Sequence, residues 1–269
     1  MPLHPTGTDG GHASGLKSLE TRDLTIHFGG HVAVNAVSCA FAPGTLTAIV
    51  GPNGAGKTTY FNLISGQLKP SAGQVLLNGR DISSLPASVR THAGLGRAFQ
   101  LTSLFPNLSV IENVRLALQS RRHLGLDLWH VWSHHKMLVE RAEQVLETIA
   151  LTGKRDLPAA ALPHGDQRKL EVGLLMALDP DVYMFDEPTA GMSVDEVPVI
   201  LDLIRDLKQR SDKTILLVEH KMDVVRELAD RIIVLHNGTL MADGDPETVI
   251  ASPVVQQAYL GLTPVEEAA

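Results

Sequence analysis

The stretch TLTAIV at 45–50 runs straight into GPNGAGKTT at 51–59. Its first part is a short apolar run rich in β-branched residues, which reads as a buried strand. Its second part fits the phosphate-loop pattern G-x-x-x-x-G-K-[ST] from Gly51 to Thr58. A helix is predicted from Lys57 to Ser65, with Gly66 placed to stop it. Strand, glycine-rich turn and helix in this order make a cradle for phosphate. Glycines let successive N–H groups curl around phosphate oxygens, and the helix N-terminus adds the positive end of its dipole. Lys57 is expected to reach the β- and γ-phosphates, and the Thr58 hydroxyl to ligate Mg²⁺. The candidate nucleotide contacts are thus Gly51, Asn53, Gly54, Ala55, Gly56, Lys57, Thr58 and Thr59.

A second element lies far downstream, in VYMFDEP at 182–188. Asp186 ends an apolar strand, and a carboxylate at the C-terminal end of a parallel strand faces the ligand crevice. It is suited to hold Mg²⁺ through water. Glu187, one residue later, is the candidate general base toward an attacking water.

Around these two elements the chain alternates strand and helix. Residues 19–28 and 32–41 alternate apolar and polar positions, as half-buried strands do, and 74–77 leads into an Asn78-Gly79 turn. From about 86 to 179 the pattern is mostly helical. Segment 109–121 opens with Ser109 and Glu112 at capping-box spacing. Segment 134–151 carries a stripe of Met137, Leu138, Val145, Leu146 and Ile149, and a third helix runs from Asp166 to about Leu178. Strand and helix then alternate through 182–186, 194–210, 214–220, 221–229 and 231–236. The fold class predicted is α/β: a RecA-like P-loop core with a parallel sheet, an antiparallel β subdomain and an inserted α-helical subdomain. Residues 1–17 read as a flexible tail and 18–269 as one nucleotide-binding domain, with core and β subdomain at about 18–98 and 180–269 and the helical subdomain at about 99–179.

Composition narrows the class. The 269 residues are 44% hydrophobic and 20% charged, within the ordinary globular range. A net charge of −7 without a basic block, and 4% aromatic residues, argue against a nucleic-acid surface. Cys39 is the only cysteine, which excludes intramolecular disulfides and multi-thiolate zinc sites. The opening residues have no apolar core of a secretion signal, and no apolar run approaches membrane-spanning length.

Further residues resemble, in the right order from about 19 to 262, the ATP-binding subunits of ABC transporters. Phe28 lies 23 residues before Gly51, where that family stacks an aromatic ring on adenine. Gln100, in GRAFQ, resembles the Q-loop glutamine, which senses the γ-phosphate, ligates the metal and touches the membrane partner. Leu162-Pro163-His164-Gly165-Asp166-Gln167 stands at the signature position, so Leu162, Gly165 and Gln167 are candidate contacts to nucleotide. His220, after TILLVE, resembles the switch histidine. FGG at 28–30, LFPNLSVIENV at 104–114, AGM at 190–192 and the ending SPVVQQAYLG are similar to the branched-chain amino acid importer class. The resemblance implies ATP and Mg²⁺ as cofactors, and Glu187, His220 and Gln100 as catalytic residues. It also implies a second ATPase subunit, transmembrane permeases, an external solute-binding protein, and a place on the cytoplasmic face of the membrane.

Departures from the family pattern carry their own expectations. Pro163 replaces the signature serine, His164 its first glycine and Asp166 its following glutamine, and proline offers neither hydroxyl nor N–H. A weak signature favours a heterodimer over a homodimer. Asp166 near a helix N-terminus is a favourable local charge. Ser193 and Glu196 form a second capping-box spacing, and Pro198 falls early in the helix at 194–210. His123, His130, His134 and His135 cluster beside Trp129 and Trp132, with His130 and His134 at i, i+4, a zinc-compatible spacing lacking the HExxH glutamate. Two rival readings stand beside the transporter. One is another P-loop NTPase, because His220-Lys221-Met222-Asp223 approaches a guanine-selecting N/T-K-x-D, although its first residue differs. The other is a soluble ABC-type ATPase acting on nucleic acid or the ribosome, which predicts basic surface or coiled-coil arms that the sequence lacks.

Overall fold

The computed structural model describes residues 18–98, 104–121 and 131–260, with the backbone alone at 121, 131–135 and 258–260. The predicted tail at 1–17 lies outside them. In chain order the elements are β1 (Leu19–Phe28), β2 (His31–Phe41), β3 (Leu46–Val50), α1 (Lys57–Ser65), β4 (Ala72–Leu77), β5 (Arg80–Asp81), α2 (Ala87–His92) and β6 (Leu95–Ala98). Three helices follow: α3 (Val110–Arg121), α4 (Val131–Thr148) and α5 (His164–Leu178). The remainder is β7 (Val182–Asp186), α6 (Val197–Lys208), β8 (Thr214–Val218), α7 (Met222–Leu228), β9 (Arg231–His236), β10 (Thr239–Gly244), α8 (Pro246–Ala251) and α9 (Pro253–Leu260).

Two sheets organise these elements. An antiparallel sheet has the order β2-β1-β4-β5, and a six-stranded sheet has the order β10-β9-β3-β8-β7-β6. The pairs β9–β3, β3–β8, β8–β7 and β7–β6 are parallel, and β10 closes one edge antiparallel. Because β3, β7 and β8 are buried along their whole length, their sequences read as unbroken apolar runs rather than alternating ones.

Side-chain alternation sends successive residues of these strands to different cores. Val182, Met184, Leu216 and Val218 join Tyr60, Phe61, Leu63 and Ile64 of α1 and Leu24, Val34, Val37 and Phe41 of the antiparallel sheet. Tyr183, Phe185, Ile215 and Leu217 face the other way, onto residues of α3, α4, α5 and α6. The phosphate-loop helix is therefore clasped between two sheets. The Tyr60 hydroxyl, buried there, pairs with Thr21 Oγ1 at 2.7 Å.

The C-terminus of α1 is closed by charge. Gly66 takes the left-handed conformation (φ 82°) that the stop signal requires. Arg90, 1% exposed, donates to the Leu63 and Ile64 carbonyls at 2.8 and 2.7 Å, and to those of Leu85 and Ser83 at 2.9 and 2.8 Å. Cationic groups at the negative end of a helix dipole stabilise it, and here one guanidinium donates to four carbonyls at once. Burial, opposed by the nearby Asp81 charge, pushes the Arg90 pKa down to about 10, leaving it charged at neutral pH.

Several boundaries differ from the sequence reading. Helix α4 buries Leu138, Ala142 and Leu146 at i, i+4, i+8, whereas Met137 is exposed and not part of the buried stripe. Helix α6 begins at Val197, three residues later than predicted, so Pro198 sits in its first turn, where a missing N–H costs nothing. Glu196 reaches back to the Ser193 N–H at 3.1 Å as a capping box does, but the Ser193 hydroxyl donates to that same carboxylate instead of capping the helix. At α3 the expected cap is present in weak form, Glu112 N–H to Ser109 Oγ at 3.3 Å. No helix among the described residues is long and apolar enough to cross a membrane.

Candidate functional site

The loop between β3 and α1 is built by close approach. A side-chain carbon on Gly51 would lie 2.2 Å from the Leu235 carbonyl oxygen, and one on Gly56 2.5 Å from that of Ala33. Both glycines also have positive φ, 152° and 96°. The turn between β9 and β10 ties the loop down: Gly238 N–H donates to Ala55, and Asn35 N–H to Gly238. Gly56 at the N-cap of α1 supplies no side-chain cap, so the helix N-terminus keeps backbone donors for an anion. Lys57 is 6% exposed, and its ammonium donates to the Gly51 and Pro52 carbonyls at 2.8 and 3.0 Å. Burial lowers its pKa, with Glu187 and Asp186 pulling the other way.

A cleft of about 410 Å³ opens over this loop. Asn53, Gly54, Ala55, Gly56, Lys57, Thr58 and Thr59 line it, and so do Phe28, Glu187 and His220. Residues some 190 positions apart are thus brought to one surface by the sheet order, because β3 lies beside β8 and β8 beside β7. Phe28, at the end of β1, is 49% exposed. An aromatic face left this open is available to a planar base. His31 also lines the cleft, a contact the sequence reading missed.

Glu187 follows the last residue of β7 with φ 51°, a left-handed conformation uncommon for a residue with a side chain. Its N–H donates to Val218 at 2.9 Å, and its Oε1 meets His220 Nε2 at 2.6 Å. Both side chains are 39% exposed, open enough to meet water. An acid, an imidazole and a glycine-rich phosphate-loop sequence thus share one cleft.

Asp186 is 8% exposed and does not stand alone. Arg97 of β6 donates to Asp186 Oδ2 at 2.7 Å and, from its other terminal nitrogen, to Asn62, Ser65 and Gln67 at 2.7, 2.8 and 3.1 Å. Its guanidinium also lies over the Phe61 ring, 5.0 Å from the centroid. Burial and the neighbouring Glu187 raise the Asp186 pKa, while Arg97 opposes the rise. The sequence reading did not single out Arg97. Its signal was a cation inside the short strand LGRA, where only a buried partner explains it.

That ion pair makes a stability prediction. Arg97→Met leaves a buried carboxylate unpaired, which costs about 3–5 kcal/mol, read as a lower urea midpoint at unchanged slope. A loss below about 1 kcal/mol, the range of exposed pairs, contradicts the burial. Arg97→Lys recovers only part, because an ammonium cannot serve Asp186 and the Asn62, Ser65 and Gln67 acceptors together.

The remaining predicted residues lie elsewhere. Leu162, Gly165 and Gln167 do not line the cleft. Leu162 is buried, and Gln167 Nε2 donates to its carbonyl at 2.9 Å. Pro163 is the N-cap of α5, which makes no side-chain cap. Asp166 is taken up by Lys154 and by Lys169, the latter at 3.1 Å, and Glu196 packs against Gly165, where an added carbon would lie 2.1 Å from its Oε1. Gln100, His123, His130 and Trp129 lie outside the described residues, and so do the side chains of Trp132, His134 and His135. Among the described residues no three His, Cys, Asp or Glu side chains gather as a protein-only metal cage requires.

The chain is similar to known proteins. Residues 34–190, more than half of the chain, match the family model described as ABC transporter. Over 248 residues the chain is 38% identical to the high-affinity branched-chain amino acid transport ATP-binding protein LivG of Escherichia coli (strain K12), covering 90% of this chain and 97% of that one. BraF of Pseudomonas aeruginosa, described in the same words, is 36% identical over 250 residues with the same coverage. Among solved structures, the ADP conformation of an ATP-binding cassette of an ABC transporter superposes with a TM-score of 0.77 at 29% identity, covering 92% of this chain and 100% of that one. The Clostridium perfringens protein cbiO1, part of an ABC transporter complex, gives 0.72 at 26% identity over 91% and 95%. With the phosphate cradle, acid and histidine in one cleft, this chain belongs to the ABC transporter family as an ATP-hydrolysing, ATP-binding subunit.

Proposed function

We propose that this chain drives an importer of branched-chain or chemically related amino acids. Similarity to LivG and BraF supports the solute class. The observation that carries the mechanism is the cleft shared by the phosphate loop, Glu187 and His220. In this reading Phe28 stacks on adenine, while the backbone from Gly51 through Thr59 cradles the phosphates. Lys57 leaves its two loop carbonyls for the β- and γ-phosphates. Glu187 takes the proton of the attacking water, His220 steadies the charge that develops on the γ-phosphate, and Gln100 senses that group.

The oxygen donors of Thr58 and Asp186 suit Mg²⁺, which is usually held by one or two protein oxygens plus phosphate rather than by a protein cage. Thr58, Asp186 and Gln100 would hold it, and when bound it neutralises charge on the phosphate oxygens.

The partners follow from the same reading: a second ATPase subunit, transmembrane permeases gripped at the cytoplasmic face, and a solute-binding protein acting through them. Leu162, Gly165 and Gln167 face the nucleotide of the second subunit. A heterodimer is favoured. Pro163 brings neither hydroxyl nor N–H, and the Glu196 carboxylate against Gly165 repels phosphate there. In the assembled transporter, Lys57→Ala is expected to remove most ATPase activity, while the equivalent change in the partner spares most of it. Equal residual activity from both sides contradicts the asymmetry. For the solute, proteoliposomes with the permeases, binding protein and Mg-ATP are expected to accumulate leucine. Robust ATP turnover without uptake of leucine, isoleucine or valine overturns that assignment.

A further inference from the structure

We propose that Glu219 is a positioning residue that ties together the loops carrying Glu187 and His220. It ends the strand segment TILLVE, is 3% exposed, and meets only uncharged donors among the described residues. One oxygen, Oε1, accepts from the Thr189 hydroxyl at 2.6 Å; the other, Oε2, accepts from the His220 and Lys221 N–H groups at 2.8 and 3.2 Å. Thr189, two residues beyond Glu187, is 1% exposed.

The carboxylate therefore does two things at once. Oε2 fixes the backbone of His220 and the first turn into α7, a favourable place for negative charge. Oε1 reaches across and pins the turn after Glu187, whose carbonyl also accepts from the Ala190 N–H at 3.0 Å. Glu187 and His220 then meet at 2.6 Å because their loops are clamped one step behind them. A residue held at φ 51° needs such support, since an unclamped turn relaxes toward commoner conformations. A buried carboxylate with no cation is costly unless its acceptors are filled, and filling them is what aligns the site. Glu219 itself touches no reacting atom. The proposal rests on the assignment of Glu187 and His220 as the hydrolytic pair.

Thr189→Val tests the tie most directly, because it removes one hydroxyl at nearly constant volume and leaves His220 untouched. In the transporter assembled with this full chain, Thr189→Val is expected to lower kcat about tenfold, as small misplacement of catalytic groups does, without changing ATP affinity. Thr189→Ser restores turnover. Glu219→Gln keeps most of it, because the Thr189 hydroxyl reverses to accept from the amide while the carbonyl oxygen still faces the two N–H groups. Glu219→Ala loses it, and Glu219→Ala with Thr189→Val together lose no more than Glu219→Ala alone, since both cut the same link. Histidine-labelled protein gives an independent reading: the His220 imidazole resonances shift in Thr189→Val and return in Thr189→Ser. Wild-type kcat in folded Thr189→Val, or losses that multiply in the double variant, overturn the tie. Glu187→Gln measured alongside separates the two ideas. Full turnover there overturns the assignment of the pair, whereas loss there with an unaffected Thr189→Val overturns the tie alone.

Discussion

Glu187→Gln is expected to lower ATP turnover by about 10²–10⁴-fold, the usual contribution of a general base, while ATP binding stays close to wild type. The amide keeps the shape and can still bond to His220 at the distance of 2.6 Å now held by the carboxylate. What it cannot do is accept a proton from water. The Lys57 ammonium is held by the Gly51 and Pro52 carbonyls and not by a hydrogen bond to Glu187, so the phosphate grip survives the change. The check is phosphate release at saturating Mg-ATP, set against an equilibrium titration with the same nucleotide. Near-wild-type release removes Glu187 from the role.

Backbone conformation sharpens this test. At φ 51° the native residue sits where glycine is at ease and a side chain is strained by about 1–2 kcal/mol. Glu187→Gly relieves that strain and is expected to be folded, melting near the wild-type temperature, with turnover as low as the Gln variant. If the acid were there for stability, the glycine variant would melt lower. Glu187 is one of seven described non-glycine residues with positive φ, and it is the one among them whose side chain lines the cleft over the phosphate loop.

Much of this was legible in the sequence because it is local. The phosphate loop declares itself through glycines that cannot be otherwise: Gly51 and Gly56 have carbonyl oxygens where a side chain would stand. Helix α1 matches its predicted limits because Gly66 stops it, and β7 matches because four buried apolar or aromatic residues end at an acid. The strand β6 was not legible. LGRA has neither length nor alternation, and it becomes a strand only because β7 is there to pair with it, Leu95 opposite Val182 and Ala98 opposite Phe185. Gly96 in its middle is demanded by Leu175 and Pro180, which crowd the position from 80 residues away.

Arg97 and Glu219 were missed for a related reason. Each is a charge in or at the end of a short apolar run, the same signal that marked Asp186, but their partners are set by sheet order and not by spacing. Arg97 reaches Asp186 across 89 residues, and Glu219 reaches Thr189 across 30. Met137 failed in the opposite direction. Its spacing suits the apolar stripe of α4, yet the helix is rotated so that Leu138, Ala142 and Leu146 meet α3 and α5 instead.

Lys57→Ala is the second large effect. Its ammonium is buried, already desolvated and held by two carbonyls of its own loop, so little reorganisation stands between this pose and a phosphate. Burial lowers its pKa, and the two acids nearby oppose that fall. Truncating one member of a desolvated charged pair costs about 2–5 kcal/mol, a loss of at least about 30-fold in ATP affinity. Lys57→Arg does not rescue it, because a planar guanidinium cannot replace a compact ammonium in a loop sized to it. Titration of a fluorescent ATP analogue in magnesium buffer reads both. The fold should persist, since α1 is anchored by Tyr60, Phe61, Leu63 and Ile64 and not by Lys57. An alanine variant that is folded and binds ATP as tightly as wild type would place the phosphates somewhere other than this loop, and the cleft would lose its ligand.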